Sequence, residues 1–348
     1  MTLLKYKNAI FLIALSLLVI TGCKKNATPT PKPIPQTSDV YVVGNIVASN
    51  GKSVAAYWKN GVVTKLTDSS TNAFARSIAV SGTDVYVAGS VSDNTGNSSV
   101  AAYWKNGVIT HLPSDTSFPS SADAITLSGS DVYVVGFTIE AGSYVATAYW
   151  KNGILTKLSG GSPNFFKRAI AVNGNDVYVA GAIYPSKSPS VSVYWKNGIL
   201  IRPADTLSFT FSSAIAVNGN DVHIAGTTLA KNNHYVATYW KNGVSNMLAD
   251  SSANSNADAI ALSGNDIYIG GTSVYNGMNM ATYWKNGVKQ QLTDIASNSQ
   301  GHAIAVNGTD VFVAGINAFG AVYWKNGTAV QLAKSGTANG IIVIPRLL

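Results

Sequence analysis

The 348-residue sequence contains one cysteine, one glutamate and four histidines. With Cys23 as the only cysteine, an internal disulfide is excluded in any compartment. With Glu140 as the only glutamate, a glycosidase-type carboxylate pair would consist mostly of aspartates. Metal-ligand spacing is absent from the four histidines, which are His111, His223, His234 and His302. Gly-x-Ser-x-Gly, His-Glu-x-x-His and phosphate-loop motifs are absent too, so we expect a protein that is not an enzyme and uses no cofactor or metal.

Long apolar runs are also absent beyond the N-terminus, where Ala9 to Ile20 form a run too short to span a bilayer. Two lysines precede this run, so residues 1–22 are predicted to be an export signal. The segment Ile20-Thr21-Gly22-Cys23 resembles the lipobox of bacterial lipoproteins, which implies that Cys23 is lipidated. An ordinary secretory signal with a chance cysteine is the alternative. We expect the chain to be exported and held through Cys23 at the bacterial cell envelope, on the outer membrane or the cell surface.

Residues 23–37 contain prolines and no hydrophobic periodicity, which predicts a semi-extended tether. Five of the 24 Lys and Arg residues lie before residue 38, and the remaining 19 face 16 acidic residues that all follow it. The body is therefore nearly neutral and shows no basic stripe, so we expect no nucleic-acid partner.

The motif Tyr-Trp-Lys-Asn-Gly occurs seven times and contains every tryptophan of the chain. The tryptophans, 40 to 46 residues apart, are Trp58, Trp104, Trp150, Trp195, Trp240, Trp284 and Trp324. A fixed period of this length indicates one repeated supersecondary unit. Between the copies, segments such as Ala169 to Gly181 contain two short alternating strands around a turn, and each Asn-Gly predicts a type I′ hairpin.

Each unit is therefore expected to be a four-stranded antiparallel blade, and residues 38–348 to be an all-β, seven-bladed β-propeller. The first unit, Asp39 to Gly44, lacks its first strand, and the last segment, Gly340 to Ile344, lacks its second. We expect these half-units to pair and close the ring of a monomeric propeller. The Ala-Ile-Ala-Val and Asp-Val-Tyr-Val-Ala-Gly segments resemble bacterial SBBP repeats, and the Ala-x-Tyr-Trp segment resembles extracellular HAF repeats; neither resemblance implies one particular chemistry.

Repeated residues are expected to be structural. The Tyr-Trp pairs should pack between blades rather than stack on sugars. The lysine of each motif is expected to be a solvated turn flank. The seven aspartates that open the second strands, for example Asp39 and Asp176, are expected to bond the local backbone of a turn rather than to bind calcium.

The residues that differ between repeats are the candidates for binding. One position before each first strand carries a polar group that varies between blades, and loops of that face should surround the channel mouth. The ligand-binding ring predicted here consists of Arg76, Asp123, Arg168, Ser213, Asp258, His302 and Asn339. Aromatic residues lie near it in the same loops, namely Phe74, Phe118, Phe165, Phe166 and Phe211. The loop after Gly315 is the shortest of its kind, which predicts a notch beside His302.

These patterns favour a non-enzymatic, lipid-anchored binding scaffold whose variable-loop face takes a glycan, a peptide or a partner protein. A structural component of an envelope assembly is the alternative. A hydrolase or lyase with its site at the channel mouth is a third possibility that the sequence supports less.

Overall fold

A computed structural model describes residues 38–92, 98–114, 118–140, 144–158, 168–183, 189–202, 209–292 and 298–346. The expected signal (1–22), the lipidation site Cys23 and the tether (23–37) lie outside the described residues. Within the described residues, 28 strands form seven antiparallel sheets of four strands each. In that same part of the chain, no helix has the length and apolar character needed to cross a membrane. The predicted seven-bladed β-propeller is confirmed.

We number blades and strands in chain order and give each blade from the channel outward. Blade 1 consists of β28 (Thr337–Pro345), β1 (Ser38–Val47), β2 (Ser53–Lys59) and β3 (Val62–Lys65). Blade 2 consists of β4 (Ala73–Ser81), β5 (Asp84–Ser92), β6 (Ser99–Lys105) and β7 (Val108–His111). Blade 3 consists of β8 (Ser120–Ser128), β9 (Asp131–Glu140), β10 (Tyr144–Lys151) and β11 (Ile154–Lys157). Blade 4 consists of β12 (Ala169–Asn173), β13 (Asp176–Ile183), β14 (Val191–Lys196) and β15 (Ile199–Ile201).

The last three blades follow the same order. Blade 5 consists of β16 (Thr210–Asn218), β17 (Asp221–Leu229), β18 (Tyr235–Lys241) and β19 (Val244–Met247). Blade 6 consists of β20 (Ser255–Ser263), β21 (Asp266–Tyr275), β22 (Met278–Lys285) and β23 (Val288–Gln291). Blade 7 consists of β24 (Gln300–Asn307), β25 (Asp310–Asn317), β26 (Gly320–Lys325) and β27 (Thr328–Gln331).

The two ends of the described chain close the ring. Strand β28 pairs antiparallel with β1, with Ile344 opposite Asp39 and Gly340 opposite Val43, which confirms the predicted pairing. Arg346, beyond the end of β28, forms an ion pair with Asp39. The hydrogen bond from Arg346 lowers the pKa of Asp39 to about 2, and bonds from Asn60 and Lys59 act in the same direction. The seam therefore combines a β-ladder with an ion pair.

The core lies between neighbouring blades. All seven tryptophan side chains are fully buried. Trp104 of blade 2, for example, belongs to an apolar cluster that includes Val43 and Ala55 of blade 1 and Ile78 of blade 2. Because such rings are enclosed on all sides, they pack blade against blade, as predicted, and cannot serve as sugar platforms.

The Asn-Gly turns share one face of the ring, which we call the tight-turn face. Both turn residues have positive φ, for example 51° at Asn106 and 86° at Gly107, as a type I′ turn requires. The side chain of Asn106 also accepts a bond from the backbone N–H of Val85 (2.8 Å) and donates to Asp84 (2.7 Å). The motif asparagine therefore joins the outer turn to the start of the second strand.

One expectation about this face is incomplete and another is wrong. The motif lysine is nearly half exposed, as a solvated turn flank should be, but in every blade its Nζ also lies 2.6 to 3.4 Å from the aspartate that opens the second strand. These aspartates do not bond the local turn backbone as expected, since each accepts from the motif asparagine and the motif lysine. The aspartate opens the second strand, whereas the lysine ends the third strand and the asparagine follows it. The hairpin motif alone therefore does not reveal their pairing.

Candidate functional site

The candidate ring residues lie at β-bulges of the innermost strands. In blade 2, Ala75 pairs with Gly89 and Ser77 pairs with Ala88, so Arg76 between them has no ladder partner. The same irregularity occurs in the first strands of blades 1, 3, 5, 6 and 7. A bulge inserts one unpaired residue and turns the strand locally. Six of the seven ring residues are thus aimed by a bulge, while Arg168 directly precedes β12.

A glycine on the second strand makes each bulge possible. A Cβ added to Gly89 would overlap the carbonyl oxygen of Phe74 and lie 2.9 Å from its carbonyl carbon. Equivalent overlaps with backbone oxygens occur in the other five bulged blades, at Gly44, Gly136, Gly226, Gly271 and Gly315. In blade 4 the corresponding Gly181 instead faces the side chain of Trp195 at 3.2 Å. A glycine inside a strand is a known sign of close backbone approach, and this was the sequence signal for the bulges.

All seven predicted ring residues line one cavity of about 160 Å³ at the channel mouth. Below them the walls are apolar and include Ile78, Ile260 and Ile304. In order from blade 1 to blade 7, the ring reads Asn339, Arg76, Asp123, Arg168, Ser213, Asp258 and His302. The fold therefore brings together in space the residues that the sequence grouped.

Arg168 and Asp123 form an ion pair across blades 3 and 4. Arg168 Nη1 lies 3.4 Å from Asp123 Oδ2, and Arg168 Nε donates to Thr147 Oγ1 at 3.0 Å. The guanidinium also lies over the ring of Phe137, 5.3 Å from its centroid. The side chain of Arg168 is 3% exposed; its burial lowers its pKa, and the charge of Asp123 opposes this shift. This cation is therefore largely neutralised within the protein.

The remaining ring residues have different partners. Arg76 Nη1 donates to Ser90 Oγ (2.9 Å), and its guanidinium lies 5.7 Å from the ring centroid of Phe74. Asn339 Nδ2 donates to the carbonyl of Ala75 in the next blade (2.9 Å). His302 Nδ1 lies 3.1 Å from the carbonyl oxygen of Ala338. Asn339 and His302 thus connect neighbouring inner strands, whereas Arg76 is held within its own blade.

Aromatic side chains surround the mouth. Phe74 and Phe118 are exposed, and Phe211 packs on Tyr235 with ring centroids 6.4 Å apart. Phe165 and Phe166 lie outside the described residues. Four further exposed apolar residues on this face were not predicted from the sequence, namely Phe209, Tyr275, Met278 and Phe319. The Asn-Gly of Tyr275-Asn-Gly-Met278 was a hairpin signal for two of them.

The rim is lower at blade 7 than at blade 6. Its second strand β25 has 8 residues and its third strand β26 has 6, against 10 and 8 in blade 6. Two residues fewer in each strand correspond to a hairpin shorter by about 7 Å. The hairpin of blade 7 is therefore shorter than that of its neighbour blade 6, beside His302, where the sequence predicts a notch; β13 and β14 of blade 4 have the same lengths as β25 and β26.

Within the described residues, no three His, Cys, Asp or Glu side chains lie close enough together to hold a metal ion.

No protein-family model matches the sequence, and no curated protein does. Solved structures with the same fold include a Mycobacterium tuberculosis puromycin-hydrolyzing peptidase, with TM-score 0.56 and 13% identity over 85% of this chain and 52% of the peptidase. Another is the β-propeller domain of the Trilobed protease from Pyrococcus furiosus, with TM-score 0.52 and 11% identity over 86% of this chain and 93% of that domain. A third is the acylaminoacyl peptidase of Pyrococcus horikoshii, with TM-score 0.50 and 12% identity over 87% of this chain and 52% of the peptidase.

This chain spans about half the length of the two full peptidases. At these identities the likeness establishes the fold alone. The Pyrococcus furiosus propeller is described as having an open velcro topology, whereas the ring of this chain is closed by the pairing of β28 with β1.

The comparisons correct one expectation. The sequence predicted an envelope binding scaffold, with an envelope assembly component as the alternative and a hydrolase or lyase as a less supported third function. That order is wrong, because the propellers of matching fold belong to peptidases. The expectation that the chain itself is not an enzyme stays a prediction. The repeat motifs indicate the scaffold alone, so they could not predict that the matching propellers belong to peptidases. The lipid anchor and the SBBP-like and HAF-like repeat types stay predictions.

Proposed function

We propose that this propeller serves peptide hydrolysis by binding one end of a peptide substrate at its channel mouth, for a hydrolase that performs the cleavage. The observation that carries the proposal is the arrangement of charge around the mouth. Arg76 of blade 2 and Asp258 of blade 6 lie across the same opening, with three blades between them on one side and two on the other. The peptidases among the structures of the same fold support this direction.

The two charges are suited to the two ends of a peptide. Arg168 is neutralised by Asp123, so a carboxylate at the mouth would meet Arg76 as its principal cation. An ammonium group at the mouth can donate a charge-assisted hydrogen bond to Asp258, and such bonds are stronger than those between neutral groups. A peptide terminus carries one such charge next to polar backbone groups. The hydroxyl of Ser213 and the amide of Asn339, which also line the mouth, are suited to hydrogen-bond with those backbone groups.

The size of the mouth argues for a terminus rather than a bulky ligand. Sites for drug-sized molecules enclose about 300–1,000 Å³. The mouth cavity has about 160 Å³, enough for one residue of an extended chain. The lower rim at blade 7 gives such a chain a lateral path to the cavity, beside His302.

The test is a binding titration with short fluorescent peptides of one sequence in three forms: both ends free, N-terminus acetylated, and C-terminus amidated. We expect saturable binding of the peptide with both ends free. Acetylation should weaken binding by about 10- to 100-fold where Asp258 holds the N-terminus, and amidation should do so where Arg76 holds the C-terminus, which is the effect of losing one charged hydrogen bond. Asp258→Asn should lose the preference for a free N-terminus, and Arg76→Gln the preference for a free C-terminus.

Lys196→Gln on the tight-turn face is the matched control, since it removes one charge at a distance from the mouth. It should leave peptide binding unchanged. If the folded, unmutated protein shows no saturable binding of any of the three peptide forms, the mouth does not bind peptide ends.

We further propose that the chain is exported and anchored to the cell envelope through a lipid on Cys23, which rests on the sequence before residue 24.

A further inference from the structure

The repeat breaks at one position of blade 5, where His223 stands in the place of a tyrosine or phenylalanine. The six equivalent residues are Tyr41, Tyr86, Tyr133, Tyr178, Tyr268 and Phe312. In each of these blades the motif lysine lies over the ring, with Nζ 5.0 to 5.4 Å from the centroid. In four of them the tyrosine hydroxyl lies 3.4 to 3.5 Å from the second-strand aspartate. An aromatic ring therefore normally fills a site formed by one lysine and one aspartate.

His223 fills this site only in part. Its Nδ1 lies 2.7 Å from Tyr239 Oη, so the imidazole is directed to Tyr239 and not to Asp221. An imidazole is also shorter than a phenol and cannot extend to the hydroxyl position. Lys241 and Asp221 are nevertheless kept in place, with Nζ 2.6 Å from Oδ2.

A cavity of about 210 Å³ lies at this position between blades 5 and 6. Blade 5 contributes Asp221, His223 and Lys241. Blade 6 contributes the apolar Leu262 and Ile267 and also the polar turn residues Asn265 and Asp266. At the preceding junction Asn173 bridges the inner turns by donating to the carbonyl of Gly219 (2.8 Å), whereas its counterpart Asn218 lines the cavity.

The cavity is large enough for one aromatic ring, and its lining is largely polar with an apolar wall at Leu262 and Ile267. Lys241 offers a cation for the face of a ring, and Asp221 offers an acceptor for a hydroxyl donor. Burial lowers the pKa of His223, so the imidazole adds no second cation at neutral pH.

We propose that this cavity binds one phenolic ring beside the buried imidazole of His223, with its hydroxyl toward Asp221, as the tyrosine hydroxyls of four other blades lie toward their aspartates. The ring could come from a small free phenol or from a tyrosine displayed by another protein. The site lies on the tight-turn face, so it is independent of the channel mouth and of peptide binding there.

The experiment is ligand-observed NMR titration of the full chain with p-cresol, N-acetyl-tyrosinamide and a Gly-Gly-Tyr-Gly-Gly peptide. For p-cresol we expect a Kd on the order of 1–10 mM, as befits a ligand of this size. Toluene, which lacks the hydroxyl, should bind several-fold more weakly. Equal affinities for p-cresol and the tyrosine ligands would assign a free phenol, and binding at least tenfold tighter to the peptide would assign a partner's tyrosine.

Two variants give opposite expectations. His223→Tyr supplies the ring from the chain itself and should weaken p-cresol binding at least tenfold, with His223→Phe as a second filling variant. Tyr178→His combined with Asn173→Ala, which also removes the bridge to the Gly219 carbonyl, should create the same site in blade 4 and raise the stoichiometry from one to two. No saturable p-cresol binding, binding unchanged in both filling variants, or saturable binding of methylammonium in place of p-cresol would each overturn the proposal.

Discussion

Replacing the strand glycine of blade 2, Gly89→Ala, tests whether the bulge that presents Arg76 depends on one missing Cβ. The backbone at Gly89 is extended, so the glycine is not required by its φ. It is required because an added Cβ would lie 2.9 Å from the Phe74 carbonyl carbon, 3.1 Å from Ala75 Cα, and nearer still to the Phe74 oxygen. Both neighbours are backbone atoms of β4, which cannot rotate away as the end of a side chain can.

The expected cost follows from that overlap. Strand β4 would have to move away from β5 or lose its bulge, and overpacking of this severity costs about 3 kcal/mol. At about 2–4 °C per kcal/mol for large domains, the melting temperature should fall by about 6–12 °C. Because Arg76 is the bulged residue, the variant should also lose binding of peptides with a free C-terminus.

Gly181→Ala is the matched control in blade 4. Its added Cβ would meet the side chain of Trp195 at 3.2 Å rather than backbone, and no first-strand bulge is described opposite it. We expect a change within about 1 kcal/mol, since Gly→Ala at a tolerant position also reduces the entropy of the unfolded chain. Differential scanning calorimetry measures both variants. Equal melting temperatures for the two would refute the link between the glycine and the bulge.

Three other predictions concern the seam, blade 5 and the anchor. Deleting residues 337–348 removes β28 and leaves β1 as an unpaired edge, so calorimetry should show loss of cooperative unfolding; a full-length melting profile would contradict closure by β28. The pKa of His223 is lowered in the fold by burial, so the unfolded chain takes up the proton first and stability should fall as pH drops below about 6.5; denaturant titrations from pH 7 to 5 should show a smaller fall in His223→Tyr, and identical pH profiles would count against this account. Cys23→Ser should move the exported protein from the membrane to the soluble fraction, and an unchanged distribution would rule out lipidation as the anchor.

The sequence was sufficient for the blades because the information they need is local. The strand alternation and the Asn-Gly turns fix each hairpin, and Gly340 pairs with Val43 across the seam as the two half-units predict. The ring of polar residues at the mouth was also predictable, since a repeat places equivalent positions around one axis.

The contacts between ring residues were not predictable, because they depend on which blades are neighbours and on side-chain length. Arg168 extends into blade 3 and pairs with Asp123, while Arg76 turns to Ser90 of its own blade. Both are arginines at the same repeat position. Likewise, the motif lysine was assigned to solvent because its aspartate partner lies about 20 residues earlier, on a strand that the hairpin motif does not include.

The bulge also decides how variation between repeats should be interpreted. A bulged residue makes no ladder hydrogen bond and points into the channel, so the fold constrains its side chain weakly. The variety at the mouth is therefore permitted by geometry, and the proposal of peptide binding depends on the opposed charges of Arg76 and Asp258 rather than on variety itself. On the tight-turn face, by contrast, the aromatic ring belongs to a network with lysine, aspartate and asparagine that every other blade keeps. His223 lacks contacts that the tyrosine or phenylalanine ring makes in the other six blades. This substitution is therefore more informative about function than the variation between blades at the channel mouth.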